Sequence, residues 1–546
     1  MEPSDSRQQK HVPHHLVFAL IFLIISLLHA PLLRLPYIWD EAGYYVPAAR
    51  DLLLSGSLIP HSTVSNAHPP LVMAWVAGGW KLFGFTPLVA HMAMLLIASF
   101  ALLGVYRLAQ AVANVPLAVA STICTGLYSV FFTQSALVHL DMGAAGLTLW
   151  GLRSYLEDRR IAMAVWFSLA ALAKETAILA PVALLAWELT GHLFSKLQEQ
   201  CLYPAGRRSL YLLVPVVPLC LWFGYHYART GYVLGNPEFF RYNVSATLHP
   251  LRVVLAASMR VWQLAGYMNL YFLTLATVLA MLQAPRGENG RERPRIAVPV
   301  QLVFGVLIAS YVLAMSVIGG AELARYMLPV LPLVIIVCIS TLWRRVRYWV
   351  PVTALVAIAF VTALFINPPY GFPFEDNLAY QNYALLHRNA AEFLAKRYAT
   401  ARVLTAWPAS DELTRPYLGY VNRPMRVLRI ENFALDELSA AAEVRGDFDV
   451  ALLFSTKYVP ARSLLARWPA WERLQTRFFG FHRDVPPPVA AQILGGDLVY
   501  AATHDGQWVG VIEMQRVLNA RTLNRHEVAG MGLDDQPHVA SGLQMK

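Results

Sequence analysis

Charged residues are scarce in this chain. Only 14% of its 546 residues are Asp, Glu, Lys or Arg, against 57% hydrophobic. An ordinary soluble domain carries about 25% charged residues, and a disordered one is poor in apolar residues, so both classes are excluded. Cysteine is scarce as well. The four, Cys124, Cys201, Cys220 and Cys338, show no metal-ligand spacing and no evident disulfide partner, and three fall in apolar runs. They read as packing residues. No internal repeat is visible. No small-residue cleavage site follows the first apolar run, which therefore reads as a membrane helix rather than a secretion leader. The net charge of +10 is not a nucleic-acid footprint, because the basic residues cluster in short loops between apolar runs.

What is present is a series of such runs. They cover 16–33, 88–108, 115–132, 140–150, 161–173, 177–189, 209–227, 263–282, 296–318, 326–343 and 348–366, eleven in all. This is the pattern of a polytopic α-helical membrane protein with about eleven transmembrane helices. Several runs are shorter than the roughly 17–25 residues a span needs, so their ends must extend into the loops; 161–173 with 177–189 is the weakest pair of spans, with a re-entrant pair as the alternative. Loop charges set the orientation. With the amino terminus inside, Arg7, Lys10, Arg159, Arg160, Arg207, Arg208, Arg344 and Arg345 fall on the inner side with most other basic residues, as the positive-inside rule requires. An odd number of spans then sends the carboxy-terminal part outside.

The expected organisation is a cytoplasmic tail over 1–15 and a membrane domain over 16–366. Within the latter, the first outer loop, 34–87, holds two amphipathic pieces, 46–55 and 71–83, that read as interfacial helices. After Asn367-Pro368-Pro369 the composition shifts. Residues 367–518 read as a soluble extracytoplasmic α/β domain: a helical period over 378–398, strands over 402–407, 426–430, 450–454 and 508–514, and a helix over 436–444. The tail 519–546 is polar, poor in aromatics and expected to be disordered. Asn243-Val244-Ser245 is a glycosylation sequon, a weak signal by itself.

The chemistry gathers around residues 37–71. The stretch opens Tyr37-Ile38-Trp39-Asp40-Glu41-Ala42-Gly43-Tyr44-Tyr45 and closes His68-Pro69-Pro70-Leu71. Two carboxylates thus follow directly on the first span, among aromatic residues that favour the headgroup layer. A carboxylate at that depth is costly without a partner or a task; the structural alternative is that Asp40 caps the helix that follows. The topology puts further costly groups on the same outer face: His68, His139 and Asp141 after Gln134-Ser135, Lys174-Glu175 at the tip of a tight hairpin, and Glu322 with Arg325 ahead of Tyr326. Each has a structural alternative. Asp141 can pair with His139 or Lys174, His68 can end a loop, Lys174-Glu175 can be a solvated turn, and Arg325 can snorkel. Convergence on one outer cavity accounts for all of them together.

Trp39-Asp40-Glu41 after the first span, then Ala67-His68-Pro69-Pro70-Leu71 and Lys81-Leu82-Phe83-Gly84, resembles membrane glycosyltransferases of the GT-C fold. The likeness is to the branch of protein O-mannosyltransferases and the aminoarabinose transferases that modify lipid A. Gln134-Ser135 with Asp141, Ala173-Lys174-Glu175-Thr176 and Arg325-Tyr326-Met327-Leu328-Pro329 look like that family's later signatures, and the resemblance covers roughly residues 16–350. It implies transfer of a sugar from a polyprenyl-phosphate donor to an acceptor hydroxyl on the non-cytoplasmic face, with inversion. Carried over, Asp40 is the general base and Asp141 the second catalytic acidic residue. Glu41 and Glu175 support them, and His68, Lys174 and Arg325 bind the donor phosphate. The leaving group is already a phosphate ester, so it needs positive charge rather than a proton donor.

No cofactor is expected. The aminoarabinose transferases commonly have an acidic residue and a lysine where this chain has Ala67 and His68, and loss of the acid removes support for a divalent metal. The expected partners are the lipid-linked donor, membrane lipids, and an acceptor that is lipid, glycan or protein; nucleic acid is not among them. The expected location is the cell (inner) membrane. Two other readings stand beside the enzyme: a non-enzymatic transporter or flippase of lipid-linked glycans, and a scaffold presenting the outer domain. The sequence names neither the sugar nor the acceptor class.

Overall fold

The computed structural model describes residues 13–193, 202–203, 206–237, 241, 247–288, 291–460 and 468–515. The first twelve residues of the expected tail, the sequon at 243–245 and the polar segment 519–546 lie outside these. The chain is predominantly helical up to residue 365. Four helical stretches are long and apolar enough to cross a membrane by length and composition: Pro87–Val112, Arg207–Thr230, Pro250–Met281 and Val298–Val317. His14–His29, Val115–Leu127, Arg160–Ala173 and Trp349–Phe365 are apolar and shorter.

Local chemistry starts these helices. Thr86 accepts a hydrogen bond from the Val89 amide at 3.3 Å, and Pro87 supplies a helical φ with no wasted N–H. Asn114 does the same for Val115–Leu127, accepting from Leu117 N at 3.0 Å. The helix Leu140–Leu156 then packs against two neighbours through small residues, as membrane helices must when no water drives them together. A Cβ on Gly146 would lie 2.9 Å from the Ala101 methyl and 3.2 Å from its Cα; one on Gly151 would lie 2.6 Å from the Phe167 ring. These contacts hold Asp141, in the first turn of that helix, at a fixed height.

One apolar run differs from expectation. The span over 263–282 is not a continuous helix. The chain is helical over Pro250–Ala265, breaks, and resumes over Leu270–Met281. Met268 (φ 47°) and Asn269 (φ 66°) take left-handed conformations at the break. Asn tolerates this region better than most residues, and its Nδ2 donates to the Ala359 carbonyl at 2.8 Å. Upstream of the break, residues expected in an outer loop form the helix that carries Arg252 and Arg260, both buried. Arg260 donates to the Leu323 carbonyl at 2.8 Å and pairs with Glu322 at 3.0 Å; Arg252 donates to the Gly319 carbonyl at 2.6 Å. A hydropathy window misses such a helix because the arginines are neutralised by a loop distant in sequence.

Beyond residue 400 five strands form one sheet. They are β1 (Arg402–Ala406), β2 (Arg426–Ile430), β3 (Val450–Phe454), β4 (Gly496–His504) and β5 (Gln507–Met514), in the order β2-β1-β3-β5-β4. β1 pairs parallel with both β2 and β3, while β5 runs antiparallel to β3 and β4. Every residue of β3 is buried, as a central strand requires. β4 escapes the sequence reading because it is an edge strand with no fully buried residue, which leaves its alternation faint. The helix Ala379–Arg397 covers the sheet, and Leu435–Glu443 lies between β2 and β3 in the chain.

Gly146→Val should force the Leu140–Leu156 and Pro87–Val112 helices apart and destabilise the protein by about 1–3 kcal/mol, the usual cost of overpacking. Thermal unfolding in detergent measures this. A variant as stable as the wild type would mean that the close approach at Ala101 is not maintained.

Candidate active site

The first loop is shaped to separate its two adjacent carboxylates. Trp39 adopts a left-handed backbone (φ 44°), and a π-helical turn over Glu41–Tyr45 follows, leading into the helix Val46–Ser55. Asp40 and Glu41 therefore point to different places. Glu41 is buried, and accepts the Ile38 amide at 3.1 Å and the Val138 amide at 2.6 Å; His91 Nε2 lies 3.5 Å from it. It pins the first loop to the segment before Asp141 and does not touch Asp40. Ala67, directly before His68, is also left-handed (φ 58°). Backbone strain of this kind costs about 1–3 kcal/mol per residue and persists only where the surroundings enforce it. Here each strained residue immediately precedes a polar residue of the site.

Asp40 meets Arg325. That guanidinium, on the short turn Ala324–Met327, is 1% exposed and answers three carboxylates at once. Its Nη2 bonds Asp40 Oδ2, its Nη1 bonds Glu375 Oε1, and its Nε lies 3.3 Å from Asp141 Oδ2. Asp141 extends the chain of charges: its Oδ1 accepts from Lys174 Nζ at 2.6 Å. The Lys174 ammonium also lies 4.1 Å from the centre of the Tyr326 ring. Residues from five separate parts of the sequence thus form one continuous ion-pair network. Asp40, whose side chain is 25% exposed, is the accessible end of it.

Glu375, and Asp376 beside it in the chain, escape the sequence reading. They lie on the turn Phe374–Asp376, after the apolar helix Trp349–Phe365, in a stretch that reads as the start of a soluble domain. A signal was there: like Trp39-Asp40-Glu41, they are adjacent acids among aromatic residues directly after an apolar run. Asp376 accepts from the Tyr267 hydroxyl at 2.6 Å, and the backbone carbonyls of Glu375 and Asp376 accept from Thr133 (2.8 Å) and Ser129 (2.6 Å). Burial raises the Glu375 pKa, against the pull of Arg325, and the charges of Asp40, Asp376 and Asp141 add to the rise. Burial likewise pushes Asp376 up to about 7, with the Tyr267 hydrogen bond opposing.

His68 and Glu175 form a second pair, 2.9 Å apart. Tyr45 bridges the two groups, its ring 6.0 Å from His68 and 5.9 Å from His139. His139 in turn contacts Gln134 Oε1 at 2.6 Å and Arg325 Nη1 at 3.3 Å. A cleft opens beside His68, lined by Tyr44, Tyr45, Leu58, Val64, Ser65 and Trp222 among others. The seven residues given roles from the sequence are thus located: Asp40, Asp141, Lys174 and Arg325 in the network, His68 and Glu175 beside the cleft, and Glu41 behind the loop. The arrangement can do two things chemically. The ammonium and guanidinium can hold an anion, and a carboxylate released from Arg325 can accept a proton. Among the described residues no three His, Cys, Asp or Glu side chains are grouped as a metal ion would need.

The strand region closes over this loop. Trp407, just after β1, packs edge-on against Trp39 at 5.3 Å and lies 5.7 Å from Tyr44. Gly43 has no side chain because Trp407 occupies its place; a Cβ there would lie 2.7 Å from Nε1. Arg415 donates to the Ser62 carbonyl at 2.9 Å, and the Tyr37 amide to the Leu418 carbonyl at 3.2 Å.

The raised pKa of Asp376 has a consequence for stability. The folded state binds this proton more tightly than the unfolded chain, so the contribution is complete below about pH 4 and is lost as pH rises toward about 7. Asp376→Asn should flatten this part of the profile, so that the wild type loses stability relative to the variant between pH 4 and 7. Parallel profiles in thermal unfolding would show that Asp376 is ionised throughout.

Residues 67–222 match the family model described as dolichyl-phosphate-mannose-protein mannosyltransferase. No curated protein matches the chain by sequence. Among solved structures, ArnT from Cupriavidus metallidurans is similar in two states, bound to undecaprenyl phosphate and apo. Each is 14% identical with a TM-score of 0.50, over 91% of this chain and 97% or 98% of that one. An oligosaccharyltransferase from Archaeoglobus fulgidus, in the apo form, aligns at 12% identity and a TM-score of 0.43, over 94% of this chain and 76% of that one. The chain therefore has the fold of the multi-pass GT-C membrane glycosyltransferases, with the protein mannosyltransferase signature across residues 67–222.

Proposed function

We propose that this protein transfers a sugar from a polyprenyl-phosphate donor to an acceptor hydroxyl at the non-cytoplasmic face of the cell (inner) membrane, with inversion at the anomeric carbon. The observation that carries this reading is the convergence of Asp40, Asp141, Lys174 and Arg325 in one buried ion-pair network with a single accessible carboxylate. The ArnT structure of the same fold holds undecaprenyl phosphate, which fits a lipid-linked phosphate as the donor here. In this reading about eleven helices within 16–366 cross the membrane with the amino terminus inside. The part from 367 to 518 is an extracytoplasmic α/β domain, and the acceptor is a lipid, a glycan or a protein.

The geometry suggests an order of events. With Arg325 on Asp40, the carboxylate is neutralised by a guanidinium and poorly placed to take a proton. A donor phosphate arriving beside Lys174 and His68 competes for Arg325, whose planar fork suits a phosphate as well as a carboxylate. Asp40 is then released to accept the proton of the acceptor hydroxyl as its oxygen attacks the anomeric carbon. The phosphate leaves with the electron pair, stabilised by Arg325 and Lys174 and requiring no protonation. Asp141 keeps Lys174 and Arg325 in register, and Glu175 orients His68. Glu41 acts only through the loop it fixes.

Asp40→Asn should lower transfer from a radiolabelled polyprenyl-phosphate sugar in membranes by about 10²–10⁴, the usual contribution of a general base, while the protein still folds. Unchanged transfer would remove Asp40 from that role. Lys174→Ala should raise the KM for the donor more than it lowers kcat; an effect on kcat alone would mean that Lys174 only orders Asp141.

A further inference from the structure

We propose that the amphipathic helix Pro469–Phe479 lies on the lipid surface of the membrane and anchors the five-stranded sheet to it. Trp471, Leu474 and Phe478 share one face of this helix at helical spacing, while Arg473, Thr476 and Arg477 occupy the opposite face. A helix of this kind inside a soluble unit buries its apolar stripe. Here Trp471, Leu474 and Phe478 are only half-buried, and Trp468, just before the helix, is 56% exposed. Arg473 and Arg477 make no ion pair among the described residues.

Its position identifies the occupant of that face. The Phe478 ring packs 4.9 Å from the ring of His249, and Phe479 lies 5.4 Å from the Arg252 guanidinium. His249 caps the helix Pro250–Ala265, on which Leu251, Val254 and Val261 are 45%, 61% and 55% exposed. Such a stripe on a membrane helix faces acyl chains, and it begins two residues from the Phe478 contact. Phe478 thus lies at the level where hydrocarbon starts, the depth at which aromatic belts and interfacial helices sit. A protein partner on this face would have to displace lipid from Leu251 and Val254. The helix is also fixed to the unit it would anchor. Glu472 takes Arg483 at 2.6 and 2.9 Å, and the Lys457 ammonium lies 4.4 Å from the centre of the Phe481 ring. Its apolar face therefore has a set direction.

The test uses the full chain in nanodiscs of phosphatidylcholine with a minority of phosphatidylglycerol, with Cys201 and Cys220 replaced by alanine. A nitroxide on Leu474→Cys should relax faster with oxygen than with a water-soluble nickel chelate, and one on Thr476→Cys should show the reverse. Nickel-dominated relaxation at Leu474 would place the face in water, and inaccessibility to both would place it against protein; either overturns the proposal. Trp471→Cys provides a second label on the same face should Leu474→Cys fail to fold. The readout does not depend on transfer activity, so it stands or falls separately from the enzymatic reading.

Discussion

A guanidinium cannot shed its charge, and one that is removed from water must find negative charge within a few ångströms. Arg325 is in that position, and the rest of the site follows from how its charge is met. Asp40, Asp141 and Glu375 surround it, and Lys174 balances Asp141 on the far side. Removing Arg325 would leave buried carboxylates uncompensated, so the elements carrying these residues are held to one another by electrostatics as well as by packing. The same balance makes the site responsive. In the proposed reaction the donor phosphate competes with these carboxylates for the guanidinium, and Asp40, the most exposed of them, is the one released.

This arrangement asks for rigid supports. Gly146 and Gly151 let the helix Leu140–Leu156 approach its neighbours closely enough to fix Asp141. Arg252 and Arg260 hold the segment 319–323 by its carbonyls, and that segment leads directly into Arg325. Glu41 ties the first loop to Val138, ahead of Asp141. From the other side Trp407 and Arg415 hold the first loop against the strand region. The turn at Glu375 belongs to both halves, since Ser129 and Thr133 hold its backbone while its carboxylate reaches Arg325. The region after residue 367 thus contributes to the site itself.

Much of this was legible in order along the chain. The helices Val46–Ser55 and Leu71–Phe83 announce themselves by amphipathic period, and β2 and β3 by short apolar runs between turn residues. Asp40, Asp141, Lys174 and Arg325 stand out because ionisable residues beside apolar runs are rare and expensive. Harder to read were features whose meaning lies in a distant partner. The helix Pro250–Ala265 carries two arginines that a hydropathy argument counts as loop residues. Glu375 and Asp376 look like the acidic start of a soluble domain until Arg325 and Tyr267 are beside them. Glu41 resembles a companion of Asp40, yet a π-helical turn sends it to another pair of amides.

Composition and periodicity by themselves determined that the chain is a helical membrane protein with a few costly side chains beside its apolar runs, because burial of charge and alternation of polarity are local properties that any window of sequence records. Which carboxylates share Arg325, and that a turn beyond the apolar helix Trp349–Phe365 supplies one of them, was decided only by the tertiary structure. Pairing energy depends on distance in space, and residues 40, 141, 325 and 375 come within reach of one another only when the helices between them have packed.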